Sequence, residues 1–102
     1  MTDLRKLSQQ QEQRVAKLIG GSVNAGSGSG WKRKNDVRGP GMLWELKLTG
    51  KKQITIKLQD LEDLRKHAIL DGLLPVFGIQ FAGSNRNYVL LDEADFLEMT
   101  SD

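Results

Sequence analysis

The 102 residues, 38% hydrophobic and 27% charged, fit one domain spanning residues 1–102 with a buried core, and they exclude a wholly disordered chain. The absence of cysteine excludes a disulfide framework and any thiolate metal site. The formal net charge of +2 is too small to define a partner by itself, and no apolar run approaches the ~20 residues a membrane helix needs.

In chain order, residues 1–6 lead into glutamines and not into an apolar signal core, so a cytoplasmic, non-secreted protein with no membrane partner is expected. Residues 3–19 read as an amphipathic helix. Leu4, Leu7, Val15, Leu18 and Ile19 fall near one stripe, Thr2 or Asp3 caps the start, and Gly20-Gly21 ends it. Residues 20–30 look like a linker, but 20 residues before them cannot fold alone. The glycines are therefore read as sites of tight turning or close backbone approach.

Residues 42–49 alternate as a strand, with Met42, Trp44, Leu46 and Leu48 on one face and Leu43, Glu45, Lys47 and Thr49 on the other. After a turn at residues 50–52, the β-branched content of Ile54, Thr55 and Ile56 predicts that the chain continues extended to Lys57. Residues 60–71 read as a helix. Asp60, Glu62 and Asp63 suit its positive end, Gly72 stops it, and Leu61, Leu64, Ala68 and Ile69 form its buried stripe. Pro75 opens a buried strand through Phe81, residues 83–85 turn, residues 88–91 form a further strand, and Asp92 caps a short last helix. The order predicts an α/β domain with a central mixed sheet flanked by helices.

Charge is unevenly placed. Residues 31–57 hold eight Lys or Arg against two acids, whereas residues 92–102 hold five acids and no base. The basic stretch reads either as a surface for a polyanion or as a solvated loop. Glu45 and Lys47 stand on one face of an otherwise apolar strand, ~7 Å apart along it. Charges on a central strand must be paired or bound, or else the strand is an edge with a wet side. Asp36 lies nine residues before Glu45, and Gly39-Pro40-Gly41 between them reads as a tight turn. Such a turn lets Asp36 fold back beside Glu45. Two carboxylates can then meet next to a lysine. Hard oxygen donors of that kind suit Mg²⁺, with Mn²⁺ as a substitute, and the set suits metal-assisted phosphodiester hydrolysis.

Asp36 followed by Glu45-Leu46-Lys47 resembles the signature of the PD-(D/E)xK nucleases. Ala25-Gly26-Ser27-Gly28, the basic stretch before Asp36, the run Glu45-Leu46-Lys47-Leu48-Thr49 and the following Ile54-Thr55-Ile56 look like the archaeal-type Holliday junction resolvases and the small resolvase-like nucleases of phages. The upstream segment Glu12 to Lys17, the helix at 60–71 and Leu74-Pro75-Val76 continue the likeness over roughly residues 10–97.

The resemblance implies a restriction-endonuclease-like core and a homodimer. It also implies a structure-selective endonuclease acting on branched DNA such as a four-way junction, in a bacterial, archaeal or phage-infected cell. By the same likeness Asp36 and Glu45 bind the metal together with the backbone carbonyl of Leu46, and Lys47 orients the attacking water. Glu12 is implied as an additional acid of the site, Ser27 and Ser29 as part of a loop near the cut strand, and Gln59 as a polar position opening the next helix. Lys32, Arg33, Lys34, Arg38, Lys51, Lys52 and Lys57 flank the site and are candidates for phosphate contact, or else an idle solvated face. Trp31 and Trp44 read as packing residues. Two other functions remain open from sequence: a nuclease of the same superfamily that nicks, repairs or degrades DNA, and a non-catalytic nucleic-acid-binding module on the same scaffold.

Overall fold

The computed structural model describes residues 3–23 and 36–101. Helix α1 spans Leu4–Ile19, and strands β1, β2 and β3 span Ser22–Val23, Asp36–Gly39 and Met42–Thr49. Helix α2 spans Leu58–Leu70, strands β4 and β5 span Leu74–Phe81 and Asn87–Leu90, and helix α3 spans Glu93–Thr100. Among the described residues, five strands form one sheet in the order β1-β2-β3-β4-β5. The β3–β4 pair is parallel and the other three are antiparallel. A parallel pair needs a crossover, and α2 supplies it. The result is the expected α/β domain, with a mixed sheet flanked by helices.

Alternation along β3 splits the core into two layers. Trp44 and Leu46 join Val37 of β2, Val76 of β4, and Val15 and Ala16 of α1. On the opposite face Leu43 joins Phe77 of β4 and Leu64 and Ala68 of α2. Burying each of these large side chains contributes about 1.5–3 kcal/mol. Trp44 is thus a core residue, and its indole N–H donates to the sulfur of Met42 at 3.4 Å.

Local chemistry sets the ends of the elements. The Asp3 carboxylate caps α1 by accepting from the backbone N–H groups of Arg5 and Lys6 at 3.1 and 3.2 Å. Asp92 caps α3 in the same way through Ala94 and Asp95. The turn between β2 and β3 is Pro40-Gly41, and Gly41 takes a φ of +83° that a side chain would strain.

Three expectations need correction. Leu18 is 67% exposed and Leu4 is 43% exposed. The face of α1 that meets the sheet is instead centred on Gln11, Val15 and Ala16, because the strands beneath it accept one amide and one small side chain. Ile69 is 57% exposed, since α2 spends its buried positions on Leu64 and Ala68. Residues 53–57 form no strand. Both sides of β3 are taken by β2 and β4, so the segment leaves the sheet toward α2, which begins at Leu58.

Gly21 fixes how α1 enters the sheet. A Cβ there would lie 2.2 Å from the Arg38 carbonyl oxygen and 2.7 Å from the Gly39 Cα, both backbone atoms of β2. Gly21→Ala is therefore expected to lower stability by about 1–3 kcal/mol, measured by denaturant unfolding.

Candidate active site

The turn at residues 40–41 fixes the register of the hairpin. Gly39 pairs with Met42, Arg38 with Leu43, Val37 with Trp44 and Asp36 with Glu45. Residues directly opposite in an antiparallel pair share a face, with Cα atoms ~4.5–5.5 Å apart. Asp36 and Glu45 therefore lie side by side, 1% and 3% exposed. Their face is the one that carries Leu43 and receives α2.

Lys47 completes the cluster. Its ammonium lies 3.0 Å from Glu45 Oε2 and 3.0 Å from Asp60 Oδ2. Asp60 comes from the first turn of α2, so the crossover helix returns an acid to the strand it left. The ammonium also sits 5.9 Å from the centre of the Phe77 ring. Burial pushes the Lys47 pKa down, but hydrogen bonds and attraction from Glu45 and Asp60 outweigh it, and the pKa is raised above the ordinary 10.5. Lys47 is accordingly a cation and a hydrogen-bond donor at neutral pH.

A second contact holds the same segment from the other face. The Gln11 amide is 3% exposed and donates to the backbone carbonyls of Lys47 at 3.2 Å and Gly78 at 3.5 Å. It ties β3 to β4 at the level of the lysine. Glu12, its neighbour on α1, is partly exposed and takes no part in the ion pairs of Lys47.

The remaining expected residues separate into three groups. Ser27, Ser29, Lys32, Arg33, Lys34 and Trp31 lie outside the described residues. The Leu46 side chain is packed in the α1 layer, leaving its backbone as the part that could serve a ligand. Arg38 pairs with Asp71 on the surface, Lys51 and Lys52 occupy the exposed turn after β3, and Lys57 is exposed at the N-cap of α2. Gln59 is also exposed and donates to Asp63 at 2.8 Å, one turn further along α2.

Asp60 and Gln11 are functional candidates that sequence reasoning passed over. Asp60 reads as an ordinary helix-start acid, and only the crossover brings it to Lys47. Gln11 does carry a sequence signal: a polar side chain at the centre of an apolar helix face.

The donor set fits a hard divalent cation. Two buried carboxylates opposite each other repel unless a cation is shared or close, and Mg²⁺ takes one or two protein carboxylates and keeps water for the rest. Among the described residues no group of three or more His, Cys, Asp or Glu is placed to hold a metal ion. Comparison with protein-family models, curated proteins and solved structures finds no match for this chain.

The Lys47–Asp60 pair makes a testable contribution to stability. Asp60→Asn is expected to cost about 1–3 kcal/mol at neutral pH. Because the folded pKa of Lys47 is raised, its contribution is fully present below 10.5 and is lost as pH rises through the folded value. Denaturant unfolding from about pH 8 to about pH 11.5 should show the gap between variant and wild type narrowing at the alkaline end.

Proposed function

We propose that this protein is a Mg²⁺-dependent DNA endonuclease of the PD-(D/E)xK type, with branched DNA such as a four-way junction as its substrate. The observation that supports this most is the register pairing of two buried acids, Asp36 and Glu45, the second of which lies 3.0 Å from the Lys47 ammonium. A solvated edge strand would not bury both acids, and a simple binding module has no need of them. The carboxylates would repel phosphate in the absence of a cation.

In this reading Asp36, Glu45 and the Leu46 carbonyl would hold the ion, which would supply Lewis-acid stabilisation of charge on the phosphate. Lys47 donates a hydrogen bond to the attacking water, fixing its line of approach, and its charge offsets that of the pentacoordinate phosphorus. A water oxygen forms the new bond to phosphorus as the water gives up a proton to solvent, the bond to the leaving sugar oxygen breaks, and that oxygen takes a proton from solvent. Asp60, 3.0 Å from the Lys47 ammonium, would hold Lys47 in place while Glu45 serves the ion. Exposed Lys51, Lys52 and Lys57 supply phosphate contacts on the flank, as would Lys32, Arg33 and Lys34, with Ser27 and Ser29 near the cut strand. Glu12 is retained as an outer acid of the site.

The reading includes a homodimer, because symmetric cutting of a junction needs two sites related by a two-fold axis. Solution mass measurement tests that part separately.

Labelled four-way junctions, forks and duplexes incubated with and without Mg²⁺ test the chemistry. Asp36→Ala and Glu45→Ala are each expected to reduce cutting by more than about 10²-fold and to abolish Mn²⁺ binding in calorimetry, with DNA binding largely retained. Cutting that is independent of metal, or no cutting of any substrate, overturns the proposal.

A further inference from the structure

Two turns meet at the end of the sheet toward which β3 and β4 both run. One follows β3 at residues 50–52, and the other lies between β4 and β5. They border a cleft of about 430 Å³ lined by Gly50, Lys51, Lys52, Phe81, Ser84 and Tyr88, among others. That volume lies within the ~300–1,000 Å³ range of small-ligand sites.

The cleft is braced by backbone. The Ala82 N–H donates to the Thr49 carbonyl at 2.8 Å, the Ser84 N–H to the Phe81 carbonyl at 2.9 Å, and the Lys51 N–H to the Thr49 hydroxyl at 3.1 Å. The Tyr88 ring is half open to solvent, at 50% exposure. Phe81 holds it from the other side, with centroids 6.5 Å apart and planes at 81°. Among the described residues, two lysines enter the lining and no acid does.

The open part of Tyr88 offers a flat stacking surface, and the two lysines that line the same cleft favour an anionic partner. A flat face beside a cationic edge matches one chemistry well: a base joined to a phosphate. The register places this feature relative to the candidate site. Lys47 pairs with Ile79, and Ile79 with Tyr88. Tyr88 thus stands in the same row as Lys47, on the same face and two strands away, ~10 Å across the sheet.

We propose that this cleft is a subsite for an unpaired nucleotide of DNA, whose base stacks on Tyr88 and whose phosphate meets Lys51 and Lys52. A base inside a duplex has both faces covered, so the subsite selects single-stranded segments. Its consequence for the substrate rests on the nuclease reading: the DNA cut at Asp36 and Glu45 would carry an unpaired nucleotide close to the cut. The choice of DNA over RNA rests on that reading as well, whereas stacking of an unpaired base on Tyr88 does not depend on it.

The test is fluorescence anisotropy in EDTA, where no cutting interferes, with labelled oligothymidine, a duplex and a single-stranded RNA of equal length. Wild type is expected to prefer the single-stranded DNA over the duplex. Tyr88→Ala should weaken oligothymidine binding by about 5- to 150-fold, the equivalent of one lost stacked base, with a much smaller effect on the duplex. Tyr88→Phe should bind as wild type does, because stacking needs the ring and not the hydroxyl. The double variant Lys51→Ala with Lys52→Ala should flatten the salt dependence by about 0.7 in log–log slope, the value for one phosphate that is no longer neutralised. Should Tyr88→Ala fail to fold, Tyr88→Trp serves instead, and oligothymidine must quench the fluorescence of the introduced indole.

Equal binding by wild type and Tyr88→Ala overturns the subsite, as does an equal loss on duplex and single strand. A loss in Tyr88→Phe as large as in Tyr88→Ala overturns it too, and so does preference for RNA over DNA. Tyr88-dependent binding without any Mg²⁺-dependent cutting would keep the subsite and remove the nuclease reading; cutting without Tyr88-dependent binding would do the reverse.

Discussion

The structure turns on the ammonium of Lys47. It reaches a carboxylate of its own strand and one from the helix that follows, so a single side chain links β3 to the first turn of α2. Buried acids on neighbouring strands are costly, and removing one partner of such a cluster costs more than the pair contributes, because the remaining charge is left in a poor dielectric. The raised pKa of Lys47 expresses the same balance: the acids hold the proton more strongly than burial expels it. The cluster therefore constrains how the first turn of α2 docks on β3 as well as any chemistry carried out there.

The topology explains why these groups converge. Strand β3 sits in the middle of the sheet, with an antiparallel neighbour on one side and a parallel neighbour on the other. The antiparallel partner delivers Asp36 by a turn of two residues. The parallel partner requires a crossover, and that crossover delivers Asp60. On the far face, Gln11 reaches the carbonyls of both β3 and β4 and satisfies them at the point where the chain must hold Lys47 steady. Each contributor is thus tied to a rigid element, which suits a site that must keep its geometry.

Much of this was legible from residue order. The tight turn and the spacing of Asp36 and Glu45 bring the two acids near each other, and alternation along residues 42–49 assigns both layers of the core; the exact pairing comes from Gly39 joining the strand opposite Met42, which leaves Pro40-Gly41 as the turn. The caps at Asp3 and Asp92 follow from side-chain chemistry. What failed was the rotation of the helices. Leucine count placed Leu4 and Leu18 inside, but the sheet accepts Gln11 and Ala16 there, since one polar amide with backbone partners and one small side chain permit a closer approach than two leucines would. Residues 54–57 join no strand, although Lys57 keeps the extended backbone expected of it, because β-branched content describes a residue's fit to a pleated surface and says nothing about whether a neighbouring strand has a free edge. Asp60 was invisible as a site residue because helix-start acids are common, and its meaning depends on a contact thirteen positions away.

The two faces of the sheet carry different burdens, and this separates stability from function along one strand. The α1 face is apolar through Val15, Val37, Trp44, Leu46 and Val76. On the α2 face Leu43 and Phe77 meet Leu64 and Ala68, and β4 continues apolar with Ile79 and Phe81 while β3 turns charged from Glu45 on. Further along, β3 carries Lys47 and the face then opens to the turns at the strand ends. Charged groups can be tolerated there because the other face already holds the strands in register. A substitution at Leu46 and one at Lys47 thus act on opposite sides of the same backbone: the first loosens a packed layer, and the second leaves that layer intact while uncovering two acids. That division lets a domain of this size carry a buried charge cluster without surrendering its core.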